Sequence, residues 1–271
     1  MNATKRIVTG IVVSLLITSA ALAVQVDLNL WTAESYPAVS GFPAGAWTVS
    51  PSGDSVTQIA NGQPTLFYSN FNVRGSDVRG SVSVEGAGDD DYIGFALGFQ
   101  PGDTSNSAAD YLLVDWKRGT QGFDFGVPST TPGTTAFEGL AVSRVTGVPT
   151  ADEFWGHTDF TSDTSGGVAE LARGASLGST GWVPGVEYDF RFLFEEDRLQ
   201  VYVDDALELD IGGSFPDGRL AFYNFSQGGV TYRAFTRDTI PAPQPCPIPA
   251  PASLPLVVLG VAGVVMRRLR G

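Results

Sequence analysis

The segment VEYDFRFLFE, residues 186–195, alternates strictly. Val186, Tyr188, Phe190, Phe192 and Phe194 fall on one face, while Glu187, Asp189, Arg191 and Glu195 fall mostly on the other. Period two with an aromatic stripe predicts a half-buried strand. The next segment, RLQVYVDDALELDI, repeats the habit through Leu199, Val201 and Val203, so Glu195-Glu196-Asp197 between the two reads as a hairpin tip. The same reading holds for VQVDLNLW, PTLFYSNF, VRGSVSVEG, YIGFALGFQ, DYLLVDWKR, FEGLAVSRV, RLAFYNFS and VTYRAF. No stretch between residues 24 and 241 sustains a helical period, and one short helix is expected at ADEFWG, 151–156. About ten strands separated by Gly, Pro, Asp and Ser turns predict an all-β fold, an antiparallel β-sandwich or jelly roll. There is no internal repeat of fixed period.

Composition supports a sizeable core and adds a charge argument. The chain has 271 residues, 43% of them hydrophobic, with 17 Phe, 33 Gly and 17 Pro. Its formal net charge is −13, yet Lys5, Arg6, Arg267, Arg268 and Arg270 hold five of its 16 basic side chains at the two ends. Residues 24–245 therefore carry 11 basic against 29 acidic side chains. Such a surface repels phosphate backbones and excludes nucleic acid as a partner, and divalent cations are its natural counter-ions.

Both ends read as addresses. Residues 1–23 run from Lys5-Arg6 through IVTGIVVSLLITSA to Ala21-Leu22-Ala23, a basic region, an apolar region and a small-x-small site. This predicts a secretory signal peptide cut after Ala23, with an uncleaved anchor as the alternative. At the other end a Pro-rich spacer, 242–253, precedes an apolar segment with a basic tail, 254–271. The apolar run from Leu254 to Met266 is shorter than the roughly 20 residues that span hydrocarbon comfortably. The tail PAPASLPLVVLG…MRRLRG resembles the PEP-CTERM class of bacterial sorting signals, in its Pro-Leu-Pro-Ala-type variant, and lacks the Glu of the commonest version. That resemblance implies export, transient membrane retention and cleavage near Pro251 and Ala252 by an exosortase-like enzyme. A permanent small anchor is the alternative. The only cysteine, Cys246, lies in the spacer, so residues 24–241 hold no disulfide.

Within 24–241 five words occur in one order: DDDYIGFALGFQ (89–100), DYLLVDWKRGTQ (110–121), FWGHTDFTSD (154–163), DGRLAFYNFSQ (217–227) and RDTIP (237–241). In these the chain resembles the C-terminal, lectin-like domain of thrombospondins. The resemblance implies a concanavalin-A-like or laminin-G-like β-sandwich that binds calcium. Two departures stand out. The match covers roughly residues 65–241, so only about 40 residues separate it from the signal, where the family has Asp-rich calcium repeats and EGF-like modules. A family cysteine is replaced by Asn224, in keeping with the absence of a disulfide. Adhesion and receptor binding therefore do not transfer with the scaffold.

Candidate chemistry centres on the acidic loop. Asp89, Asp90 and Asp91 repel one another directly before the apolar strand that starts at Tyr92. Consecutive side chains on an extended strand point to opposite sides, so a turn at Gly86-Ala87-Gly88 is needed for two to converge. Ca²⁺ takes six to eight oxygen ligands in irregular geometry and suits such a loop, with Asp90 and Asp91 foremost and Asp89 next. The alternative is a solvated acidic turn. Trp116, Trp155 and Trp182 are candidate platforms for sugar rings, with core packing as the competing reading.

The signals for catalysis are poor. His157 is the only histidine, and zinc lacks ligands. Glu195, Asp197 and Gln200 form E-x-D-x-x-Q, close to a glycoside-hydrolase motif, but Gln cannot move a proton. The expectation is an exported, non-enzymatic, calcium-binding lectin-like protein that associates with extracellular polysaccharide or surface proteins. A carbohydrate-active hydrolase on the same sandwich, or a ligand-free structural surface protein, is the alternative.

Overall fold

The structure, a computed structural model, describes residues 23–86, 88–126, 132–160 and 166–240. The expectations placed on Ala21, Cys246, Pro251, Ala252 and the two terminal segments lie outside the described residues. Ala23 is exposed coil leading into the first strand.

The chain forms β1 (Val24–Gln25), β2 (Thr32–Ser35), β3 (Trp47–Val49), β4 (Ser55–Gln58), β5 (Thr65–Asn72) and β6 (Ser76–Val84). After the acidic loop come β7 (Tyr92–Phe99), β8 (Asp110–Lys117) and β9 (Gln121–Phe123). Then follow β10 (Thr134–Ala136), β11 (Gly139–Gly147), α1 (Ala151–Gly156) and β12 (Gly166–Arg173). The last run is β13 (Glu187–Phe194), β14 (Arg198–Val203), β15 (Ala206–Gly212), β16 (Arg219–Phe225) and β17 (Val230–Thr239). One sheet has the order β15-β14-β13-β6-β17-β4-β3, with β1 also on β17; the other has the order β12-β11-β8-β7-β16-β5-β2. Strands β9 and β10 form a separate ribbon. The pairings are antiparallel, as the alternation predicts.

Alternation sorts the side chains of the second sheet into two apolar layers. Leu112, Val114 and Trp116 of β8 join the core between the sheets, with Phe95 of β7 and Phe222 of β16. Their neighbours Tyr111, Leu113, Tyr92, Ala96, Ala221 and Tyr223 join a second cluster with Phe125, Phe154 and Trp155. The outer face of this sheet is thus covered by α1 and the β9 ribbon, which is why every residue of β7 is buried. Burying a large apolar side chain contributes roughly 1.5–3 kcal/mol, so the second layer is a major source of stability.

Helix α1 occupies the residues expected from the sequence. Thr150 caps it, and Thr150 and Glu153 form a reciprocal capping box. The helix ends at His157, in the left-handed region at φ 47°. The expected strand 24–31 is shorter than its alternation suggests. The Asp27 side chain accepts from the Asn29 backbone and turns Leu28–Leu30 into a 3₁₀ helix. The segment 198–211 is a hairpin rather than one strand: Asp204 and Asp205 adopt φ 48° and 64°, a tight turn between β14 and β15. In β17 a register shift between Arg233 and Thr236, with Ala234 at φ 56°, swings Phe235 into the core. Gly80 makes room for that ring, since a Cβ there would lie 2.4 Å from it.

Candidate functional site

The acidic loop joins β6 to β7, and the register of β7 on β8 decides what it meets. Tyr92 pairs with Lys117. That register delivers the Lys117 ammonium, on a fully buried side chain, to the carboxylates just before β7. Nζ donates to Asp91 Oδ1 at 2.6 Å, to the Asp90 carbonyl at 3.0 Å and to Asp90 Oδ1 at 3.3 Å. The Tyr92 and Trp155 rings flank it, with centroids 5.7 and 4.6 Å from Nζ. A buried charge requires a partner, and three repelling carboxylates require a cation. Each supplies what the other lacks.

The three carboxylates differ in their surroundings. Asp91 is buried, its backbone N–H donates to Gln227 Oε1, and its carbonyl accepts from Trp182 Nε1, both at 3.0 Å. Burial pushes its carboxyl up, to about 7, against the pull of the Lys117 ammonium. Asp90 is 43% exposed at its side chain. Asp89 accepts from the side-chain amide of Asn61 and from the Asp90 backbone N–H. The Gln121 amide, oriented with its nitrogen toward the acids, donates to Asp91 Oδ1 and Asp90 Oδ1 at 3.2 Å each. Above them Gly88, Asp89, Asp90, Arg118, Gly119 and Gln121 line an open recess. Gly119 lets the Asp90 carboxylate lie close, since a Cβ there would come within 2.6 Å of Asp90 Oδ2 and push that side chain aside. Arg118 closes one side by donating to the Asp89 carbonyl at 3.1 Å while its guanidinium lies over the Trp182 ring.

One ligand atom from each of Asp89, Asp90 and Asp91 lies within 4.8 Å of the others. An oxygen-only set of this kind fits a hard cation. The fit is best at Asp89 and Asp90, which face the recess. Asp91, placed foremost on sequence grounds, is turned inward and committed to Lys117. Lys117, Gln121 and Gln227 were not singled out as site residues. The signal for Lys117 was a basic residue closing the strand DYLLVDWK, all but fully buried, where it had to find an opposite charge.

The tryptophans correct the expectation of sugar platforms. Trp116, Trp155 and Trp182 are 1–2% exposed, and their ring faces pack in the core. Each indole N–H donates to a backbone carbonyl, those of Thr180, Gln121 and Asp91 respectively.

His157 is also structural. Its Nε2 lies 3.0 Å from Asp115 Oδ2 and its Nδ1 3.3 Å from Glu170 Oε2, with both carboxylates on strands beneath α1. Burial favours the neutral ring, but the charge of Asp115, with hydrogen bonds to Asp115 and Glu170, overcomes it and holds the imidazole up at about 9. Glu195 and Asp197 are exposed at the β13–β14 turn, and Gln200 donates to Asp210.

Two antiparallel sheets with a loop-borne polar site at one end define a lectin-like β-sandwich. The chain belongs to the thrombospondin C-terminal region family, which matches residues 43–238. Among curated proteins, thrombospondin-3b of Danio rerio is 28% identical over 198 residues, 69% of this chain and 20% of that protein. The chain thus spans about a fifth of the relatives it matches. Among solved structures, a carbohydrate-binding module CBM66 from Bacillus subtilis aligns over 75% of this chain and 99% of its own, with TM-score 0.47 and 11% identity. The exoplasmic/lumenal domain of VIP36, in its Ca²⁺/Man3GlcNAc-bound form, aligns over 83% and 91%, with TM-score 0.47 and 12% identity.

Proposed function

We propose that this protein is an exported, non-enzymatic binding module that holds calcium at the acidic loop and associates with extracellular polysaccharide at a bacterial surface. The observation that carries the reading is the pair Asp89 and Asp90, whose carboxylates face an open recess within a thrombospondin C-terminal domain. Calcium there would be held by Asp89 and Asp90, with backbone carbonyls and water completing an irregular oxygen shell. The coordination positions left to water are available to sugar hydroxyls or carboxylates. A bound cation would also let an acidic surface meet an acidic polymer, which direct contact opposes. With Trp116, Trp155 and Trp182 buried, recognition at the loop runs through the ion and the polar rim. Export and surface release follow from the signal-like and PEP-CTERM-like ends, the latter processed by an exosortase-like enzyme.

The test is a glycan array probed with the purified protein in calcium and in chelator. Binding that requires calcium and is lost in Asp89→Asn/Asp90→Asn supports the reading. Binding indifferent to both overturns it.

A further inference from the structure

We propose that Lys117 and Asp91 form an intramolecular isopeptide bond, an amide between Lys117 Nζ and Asp91 Cγ that ties the end of β8 to the residue before β7. The inference needs no glycan; it shares Asp90 with the proposed calcium site, and its readout, a covalent mass change, is separate from calcium binding.

The two groups to be joined are held against each other. Lys117 Nζ lies 2.6 Å from Asp91 Oδ1, and neither group has access to bulk water: the lysine side chain is 0% exposed and that of Asp91 5%. Both are fixed. Asp91 is anchored at its backbone N–H by Gln227 and at its carbonyl by Trp182. Lys117 ends a strand paired on both sides, to β7 and β11, and its ammonium lies against the Tyr92 and Trp155 rings. Holding two reactants this way is equivalent to effective concentrations on the order of 10⁵–10⁸ M. In water the separated ions are strongly favoured over an amide. Burial of both groups removes the hydration that favours them.

The neighbouring groups supply the remaining parts. The ammonium passes one proton to the Asp91 carboxylate, giving an amine and a carboxylic acid. The amine lone pair attacks Asp91 Cγ and the C–N bond forms. The Gln121 amide donates to Asp91 Oδ1, the oxygen that faces Nζ, and holds the carboxyl in place for the attack. Asp90 Oδ1, 3.3 Å from Nζ, takes a second proton from the nitrogen and returns it to the departing hydroxyl. The C–O bond breaks, water leaves by the open recess beside Asp90, and Asp90 regains its starting charge. The sum is ammonium plus carboxylate giving amide plus water, with no oxidant or co-reactant.

The experiment is mass spectrometry of the purified full-length protein, denatured, with its termini read from terminal peptides. The expected result is an intact mass lower than the sequence by one water. A branched tryptic peptide should join Asp91 to Lys117, with no cleavage after Lys117. Asp91→Asn should reach the same cross-linked product by losing ammonia instead. Lys117→Arg should show the full sequence mass, and Asp90→Ala should slow formation at least tenfold. If Lys117→Arg fails to fold, the wild-type peptide map decides alone. A wild type of full mass after prolonged incubation, cut normally after Lys117, overturns the proposal. So does loss of one water without the branched peptide, as a succinimide at Asp217-Gly218 would give.

Discussion

The His157 cluster sets a pH dependence whose size follows from its contacts. His157 caps α1 and joins the helix to both strands beneath it, through Asp115 of β8 and Glu170 of β12. Glu170 is itself bonded to Arg173, and the Tyr92 ring lies 5.4 Å from the imidazole. These groups hold the folded imidazole at about 9, against 6.5 for the free side chain. The folded value is raised, so the stabilisation is complete below 6.5 and is lost as pH rises through 9. Across that window the folded chain keeps a proton that the unfolded chain releases. At about 1.4 kcal/mol per pH unit, this amounts to roughly 3 kcal/mol. For a domain of this size that is a fall in Tm of roughly 6–12 °C. The assay is urea or thermal unfolding of wild type and His157→Gln at half-unit steps from pH 6 to pH 10. Taking the difference between the two cancels the titrating groups that do not touch His157; Asp115 and Glu170, which do, remain in it. The expected difference is largest at pH 6 and shrinks steadily toward pH 9.5. A difference constant across the series would refute the claim that a charged imidazole latches α1 to the sheet.

The termini give two further predictions, both read by mass spectrometry of protein released from the cell surface. The mature chain should begin at Val24, and recovery of Met1 or Lys5 would contradict the signal peptide. It should also end near Ala252, and an intact Arg268 would contradict sorting by an exosortase-like enzyme.

Much of the architecture was legible in local pattern. Strand β7, the hairpin at Glu195-Glu196-Asp197 and the helix at 151–156 each follow from period, turn chemistry or a capping pair within a few residues. What local pattern does not carry is which surface covers a face. Tyr111 and Leu113 alternate with Leu112 and Val114, but only tertiary packing gives the first pair a layer of its own, closed by Phe125, Phe154 and Trp155. The sequence alone left Trp155 open between a sugar platform and the core for the same reason. The strand from Val24 failed for a local cause: Asp27 bonds its own backbone two residues on, and that outweighs the alternation. In the site, the acidic loop and the meeting of two of its carboxylates were legible, whereas the answering charge was not. Lys117 lies 26 residues from Asp91, and only the register of Tyr92 on Lys117 brings them together. The same register turns Asp91 inward and leaves Asp89 and Asp90 to the recess.

Calcium at the loop is the central claim, and a melting experiment tests it most directly. A ligand that binds only the folded state stabilises it by about 2.7 kcal/mol at a hundredfold excess over Kd. Wild type should melt several degrees higher in millimolar calcium than in chelator, and Asp89→Asn/Asp90→Asn should abolish most of that rise. Magnesium, which demands a tighter octahedral shell, should produce a smaller rise. The opposite result is a wild type whose melting temperature is the same in calcium and in chelator. It would mean that Lys117 and Arg118 already satisfy the acidic loop and that no metal is held there.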